Sequence, residues 1–402
     1  MNKDIPAPDT TAFADALLAS LECQWERFPY YRHLCGRQGV ALEDLRAFVR
    51  AGDYSRVPSV ASPAFKRSKG LLRELNDFSA PGDLQVSSST SGDPSYVLTS
   101  PQELERVRDQ YRRTFGVAGV STGLGFAPSA RILSAMSKMA AFPGLRRKTV
   151  GRMHLAMEGG ASHYRDFHIT VDVNVARTLV NRALGKPASL RKMPASEVAA
   201  IVRAAERDGR PIAVGGVSLL LRPYLEELGD GAFHLGSRGF VTFSGGGYSG
   251  AKGSIRGEKI DKPSFIAKIG AVFGIEPGLW ATNVKDIYGF TETPALFEGY
   301  WDLSRNEFLF RAGASNPEAK IYIVDPETER PLRAGRGLVK VIAPAAAGRP
   351  ASANVCVLQF DEAEVVSTAG DGSAEAFCRV SRLQGVAAEG CAFKAAEIGG
   401  SV

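Results

Sequence analysis

Residues 286–293, Asp-Ile-Tyr-Gly-Phe-Thr-Glu-Thr, put an aromatic ring, a glycine, a hydroxyl and a carboxylate within five residues. The ring of Tyr288 beside the bare backbone of Gly289 suits stacking on a nucleobase, worth roughly 1–3 kcal/mol per base. Thr291 adds a hydroxyl, and Glu292 can hold Mg²⁺, which takes one or two carboxylates together with phosphate oxygens. A second stretch, residues 86–96, reads V-S-S-S-T-S-G-D-P-S-Y. Ser87, Ser88, Ser89, Thr90 and Ser91 offer consecutive hydroxyls, then Gly92 frees the backbone and Pro94 prevents a helix. Successive N–H groups in such a turn form a concave nest for phosphate oxygens. Taken alone, residues 86–96 also fit a solvated Ser/Gly linker, and residues 288–293 fit a strand with a polar end.

Two further features carry chemistry. Gly245, Gly246 and Gly247 follow an apolar run at 239–244, and a glycine backbone admits close approach by a flat ring. With Gly250 they spell G-x-G-x-x-G. Gly253 and Gly257 interrupt any helix after it, and Asp261 lies too early for a dinucleotide's ribose. Cys391 has Gly390 beside it for access and Lys394 nearby to favour a thiolate. A lone cysteine near a chain end is more often idle. Gly216-Val217-Ser218-Leu219 lacks the second glycine of a hydrolase elbow, and Gly215–Ser218 could wall a substrate pocket.

The elements that must position these residues alternate. Residues 8–50 read as helices, with Leu17, Leu18, Leu21, Trp25 and Phe28 at helical steps, then Leu45, Phe48 and Val49. Residues 53–66 are loop-like, with Pro58 and Pro63. Pro101 opens a helix over 101–116 whose mixed charge suits an exposed position. Ile132-Leu133 and residues 168–171 read as short buried strands. Three helix-then-strand units follow: 196–208 with 211–216, 219–228 with 239–244, and 264–273 with 283–288. This alternation predicts a layered α/β core with a largely parallel sheet. After residue 318 the pattern becomes strand–turn–strand at 319–325, 337–343 and 355–360, a small β subdomain. The last forty residues hold no further periodic block. The predicted organisation is a helical segment (1–80), an α/β core (81–318), and a β subdomain with its tail (319–402).

The whole chain bounds the possibilities. Its 402 residues allow a sizeable core. The formal charge of +6, from 49 basic and 43 acidic residues, is too small and scattered to argue for nucleic acid. It suits an anionic small substrate. No apolar run is long enough for a membrane span, and the N-terminus has no charged-then-apolar leader. Cys23, Cys35, Cys356, Cys378 and Cys391 are odd in number and form no C-x-x-C pair. That favours a reducing cytoplasm over a disulfide framework. His163 and His168 do not have the spacing of helical zinc ligands.

In this order, the pieces resemble the adenylate-forming (acyl-CoA synthetase and ligase) superfamily over about residues 60–391. Residues 87–95 resemble its [ST]-S-G-[ST]-T-G-x-P-K phosphate loop, with Ser89 in place of glycine and Ser95 in place of lysine. Residues 288–292 match its Y-G-x-T-E signature. Residues 324–329 with 335–338 resemble its "V-D-P-E-T-G … G-E-x-G-E-L" hairpin, and Asp361 stands at its ribose-binding aspartate. The resemblance implies that family's layered N-terminal-domain fold, with ATP and Mg²⁺ as cofactors. It implies Ser87–Gly92 on the β,γ-phosphates, Thr291 on the α-phosphate and Glu292 on Mg²⁺. Gly245–Gly247 and Tyr288 would sandwich adenine, with Gly289 at the turn and Asp361 on the ribose. The chain ends soon after Ser381-Arg382, where the superfamily adds a lysine-bearing domain. That ending resembles the acyl-protein synthetases of bacterial luminescence (LuxE-like), whose R-G-C-[SA]-[LF] cysteine accepts the acyl group. Glu389-Gly390-Cys391-Ala392-Phe393 is similar, with Glu389 for arginine, and Gly245–Tyr248 is similar to their G-G-G-[WY] turn. The expected partners are a carboxylic acid and an acceptor, either an acyl-acceptor protein or coenzyme A. Direct transfer to coenzyme A, a carrier protein or an amine is the alternative. A non-catalytic nucleotide- or acyl-binding protein is the other reading, since the expected lysines are missing.

Overall fold

The computed structural model describes residues 10–66, 69–87, 94–139, 148–174, 189–244 and 260–383, with a few positions between 174 and 189. Sixteen strands lie among the described residues. The first are β1 (Val60–Ala61), β2 (Asp83–Val86), β3 (Tyr96–Thr99), β4 (Thr122–Pro128), β5 (Thr149–Gly151) and β6 (Asp166–Val173). Next come β7 (Leu190–Lys192), β8 (Ile212–Gly216), β9 (Gly239–Ser244), β10 (Val284–Gly289) and β11 (Leu296–Asp302). The last are β12 (Glu307–Arg311), β13 (Lys320–Val324), β14 (Gly335–Ile342), β15 (Cys356–Thr368) and β16 (Ala374–Arg382).

Thirteen strands form one sheet in the order β13-β14-β15-β16-β12-β11-β10-β9-β8-β4-β6-β7, with β1 paired to β15. Five of them, β6-β4-β8-β9-β10, run parallel. Helices Ala195–Arg207, Ser218–Leu228 and Lys262–Phe273 bury apolar stripes in the same cluster as these strands. Val198, Val202, Leu221, Leu225, Ile266 and Ile269 join Val214 and Val241 there. Each such side chain contributes roughly 1.5–3 kcal/mol on burial. The fold is therefore α/β, as the helix–strand alternation predicts, but the sheet is mixed and not largely parallel, since β7, β11, β12 and β13 to β16 pair antiparallel.

The strands after residue 318 are hydrogen-bonded into this sheet where Phe310 of β12 pairs with Phe377 of β16. The N-terminal helices Thr10–Arg27, Pro29–Arg37 and Leu42–Arg50 pack on them, Leu17, Leu21 and Tyr31 meeting Tyr322, Ile342 and Val357. A second sheet, β3-β2-β5, stands apart. Helix Pro101–Phe115 joins the two, because Leu104, Val107 and Tyr111 cluster with Val150 of β5 and Ile287 of β10.

Three further expectations need correction. Ile132 and Leu133 belong to helix Ala130–Met139, since an apolar pair carries no period that separates strand from helix. Helix Pro101–Phe115 is packed, not exposed, and it buries Glu103 and Gln110 beneath its charged face. A further strand, β16, follows residue 360, and β15 itself runs on to Thr368. No helix among the described residues is long and apolar enough to cross a membrane.

Candidate functional site

The parallel strands end together. Register pairs Phe126 of β4 with Gly216 of β8, Gly216 with Phe243 of β9, and Ser244 with Ile287 of β10. Phe126, Gly216, Ser244 and Tyr288 thus lie along one carboxyl edge. After β4 the chain places β6 on one side of it and β8 on the other. Such a reversal opens a crevice at the strand ends, where ligands bind in α/β sheets. Gly216 closes the β4–β8 junction with φ +129°, and a Cβ there would overlap the Phe126 backbone. Any other residue would prise these strands apart.

At the end of β10 the half-buried Tyr288 hydroxyl donates to Asp361 Oδ2 at 3.0 Å. The two residues come from the parallel part of the sheet and from β15, where Asp361 pairs with Arg382 of β16. Phe290, Phe310 and Phe377 set the Tyr288 ring edge-on, with centroids 4.5, 5.9 and 6.1 Å away. Gly289 pairs with Leu296 across the β10–β11 hairpin, and a Cβ there would strike that leucine. The chain then turns through buried Thr291, half-buried Glu292 and fully buried Thr293.

The structure therefore brings Tyr288, Gly289, Thr291, Glu292 and Asp361 into one neighbourhood. Ser87 lies at the end of β2, where its Oγ accepts from the Ser95 N–H at 2.8 Å. Ser88, Ser89, Thr90, Ser91, Gly92, Gly245, Gly246, Gly247 and Cys391 lie outside the described residues. Sequence reasoning missed Phe310 and Phe377, which stack on each other at 5.1 Å and back the tyrosine. The period-two alternation of Phe308 and Phe310 is the signal that marks β12 as having an inward face.

Among the described residues, no group of three or more His, Cys, Asp or Glu could hold a metal ion. A cation at this site would rest on Glu292 and on a ligand's own oxygens. Mg²⁺ favours such a shared arrangement over an all-protein cage.

One buried acid sits on the same strand. Asp286 accepts from the Ile287 N–H at 2.9 Å, and burial pushes its carboxyl up to about 7 despite the nearby Lys262 ammonium. Lys262 itself is committed to both oxygens of Glu307, at 2.7 and 2.9 Å. An unfolded aspartate loses its proton near pH ~4, whereas Asp286 keeps it until about 7. Between those values the unfolded state binds fewer protons, so this residue makes stability fall as pH rises. Asp286→Asn should flatten that decline. Urea midpoints should show the variant more stable at pH 8, by on the order of a few kcal/mol, with no such gain at pH 4. Parallel pH profiles for the two chains would contradict the assignment.

The architecture is that of an α/β protein whose parallel strands reverse their order at β4. No protein-family model matches the chain, and neither does any curated protein sequence. Solved structures do match. A 2-hydroxyisobutyryl-CoA ligase in complex with 2-HIB-AMP and CoA, in its thioesterification state, superimposes with a TM-score of 0.57. The two are 14% identical, over 96% of this chain and 70% of that one. Its open conformation gives a TM-score of 0.54 at 14% identity, over 93% and 73% of the two chains. At that identity the likeness is one of fold, and the chain has the adenylate-forming ligase fold.

Proposed function

We propose that the protein is an ATP-dependent ligase that converts a carboxylic acid to its acyl-adenylate and then passes the acyl group to a thiol. The observation that carries this reading is the Tyr288–Asp361 hydrogen bond at the carboxyl edge of the parallel strands. It joins a ring suited to adenine with a carboxylate suited to the ribose hydroxyls, within a fold shared with an acyl-CoA ligase.

A carboxylate resists nucleophilic attack because its oxygens leave poorly. One of its oxygens attacks the α-phosphorus of ATP, the bond to pyrophosphate breaks, and a mixed anhydride forms. Two anions must meet for this, so the site needs donors and positive charge aimed at the phosphates. Tyr288 would hold the base and Asp361 the ribose. Thr291 would donate to the α-phosphate, and the hydroxyls from Ser87 onward would meet the β,γ-phosphates. Glu292 would hold Mg²⁺, which supplies positive charge against the phosphates. In the second step a thiolate attacks the acyl carbon and AMP departs with the bonding electrons.

Two acceptors have support. Cys391 lies in a stretch similar to an acyl-accepting motif, which favours the protein's own thiol. The matched ligase was solved with CoA, which favours direct transfer to that cofactor. Exchange of pyrophosphate into ATP, run against a panel of carboxylic acids, tests the first step. No exchange with any acid would leave only nucleotide or acyl binding. Radiolabelled acid then distinguishes the acceptors. Label that stays on the protein in a denaturing gel, and is lost in Cys391→Ser while exchange persists, assigns the acceptor to Cys391. A protein that stays unlabelled, with labelled acyl-CoA appearing in solution once CoA is added, assigns it to CoA.

A further inference from the structure

Arg152 is the first residue of helix Arg152–Ala161 and follows β5 directly. Its side chain is buried, only 5% of the residue being exposed. Nε donates to the Tyr111 hydroxyl at 3.1 Å and Nη1 to Gln85 Oε1 at 3.3 Å, while buried Nη2 has no partner among the described residues. Both contacts are to neutral groups. Among the described residues no carboxylate pairs with this guanidinium. Burying a permanent cation without an opposing charge is costly unless something else compensates it. Arg106 and Arg108, part-buried arginines nearby, have carboxylates beside them, Glu103 for the first and Glu105 and Glu158 for the second. Arg152 has nothing comparable.

Its location says what kind of group compensates it. β2 and β5 run parallel with Val86 opposite Gly151, so the next residues, Ser87 and Arg152, come abreast. Gly151 provides no side-chain cap for the helix that Arg152 opens, and an uncapped helix N-terminus favours an anion. Tyr111, under the guanidinium, shares an apolar cluster with Ile287, the residue before Tyr288. Ser95 stands where the family resemblance expects a lysine. It is buried, and its N–H is spent on Ser87.

We propose that Arg152 is the cation that binds the phosphoryl oxygens of the nucleotide, in place of the lysine missing at Ser95. The planar fork of arginine matches two phosphate oxygens, and its free Nη2 supplies the donors for them. The identity of the anion as the polyphosphate of ATP rests on the ligase reading; the presence of an oxyanion site does not.

Calorimetric titration of the full chain with inorganic pyrophosphate tests the assignment. The wild-type protein should bind it, and Arg152→Gln should bind it about ten- to a hundredfold more weakly. Arg152→Lys should fall between, since it keeps the charge and loses the fork. A thermal melt of each variant shows whether it is folded. If Arg152→Gln does not fold, the wild-type Arg152 Nε–H resonance, identified by its absence in Arg152→Lys, should move on adding pyrophosphate. Equal affinity in wild type and Arg152→Gln, an unmoved resonance, or no binding to wild type would each overturn the proposal. Arg152-dependent pyrophosphate binding in a protein that exchanges with no acid would sink the ligase reading and leave this site standing. Exchange that proceeds while Arg152→Gln binds pyrophosphate normally would do the reverse.

Discussion

Glu292→Ala should lower carboxylate-dependent pyrophosphate exchange on the order of 10²–10³-fold, the usual loss when one electrostatic contact to a transferring group is removed. Glu292 is the half-buried carboxylate between buried Thr291 and Thr293 in the turn after β10. Those flanking residues are buried while the Glu292 side chain is half exposed, so truncating Glu292 should leave the fold intact. The loss should fall on kcat more than on the KM for the acid, because charge builds on the phosphates as the bond to pyrophosphate breaks. Raising Mg²⁺ should recover part of the activity in Glu292→Asp and none in Glu292→Ala. A Glu292→Ala enzyme with wild-type exchange would remove this residue from the chemistry. A variant with a lowered melting temperature and proportionally lower activity would point to a structural role instead.

How much of this was legible in the sequence depends on the range of each signal. β8, β9 and β10 were readable because each is a short apolar run ended by glycine or a polar residue, and the structure places them within a residue or so of those limits. The helices between them show apolar stripes at helical spacing, which fixes both type and inward face. β16 escaped notice because Ala374–Arg382 mixes alanine, cysteine and charge in place of strong β-formers. The far half of β15 has Ala363 and Val365 buried between partly exposed Glu362 and Glu364, an alternation too acidic to stand out. Glu103 misled in the opposite direction. It reads as a surface charge, yet it closes the helix's capping box with Ser100 and is buried by the packing around it. No local pattern announces Arg152, since its importance arises from a pairing with β2 across 67 residues of chain, as its bond to Gln85 shows. The meeting of Tyr288 and Asp361, 73 residues apart, was likewise beyond periodicity, and the family motif alone suggested it.

That meeting makes the second large prediction. Asp361→Ala should weaken ATP binding about ten- to a hundredfold, the range for charge-assisted hydrogen bonds, while affinity for the acid is retained. Tyr288→Ala should cost a similar factor through lost stacking, on the order of 1–3 kcal/mol. Tyr288→Phe keeps the ring and removes only the hydroxyl that donates to Asp361 Oδ2. Its effect should be a few-fold, and it should shrink further when Asp361 is already asparagine. Residues that share a hydrogen bond give non-additive changes, whereas residues far apart add. A cycle of Tyr288→Phe and Asp361→Asn, read as the dissociation constant for ATP, therefore measures whether one nucleotide engages both. Strict additivity would mean that the two side chains act on separate things, and the adenine and ribose assignments would have to be given up together. Phe310 and Phe377 offer an independent check on the same ring, because they hold it edge-on from behind. Phe377→Leu should loosen the tyrosine and raise the KM for ATP without removing any polar contact to it.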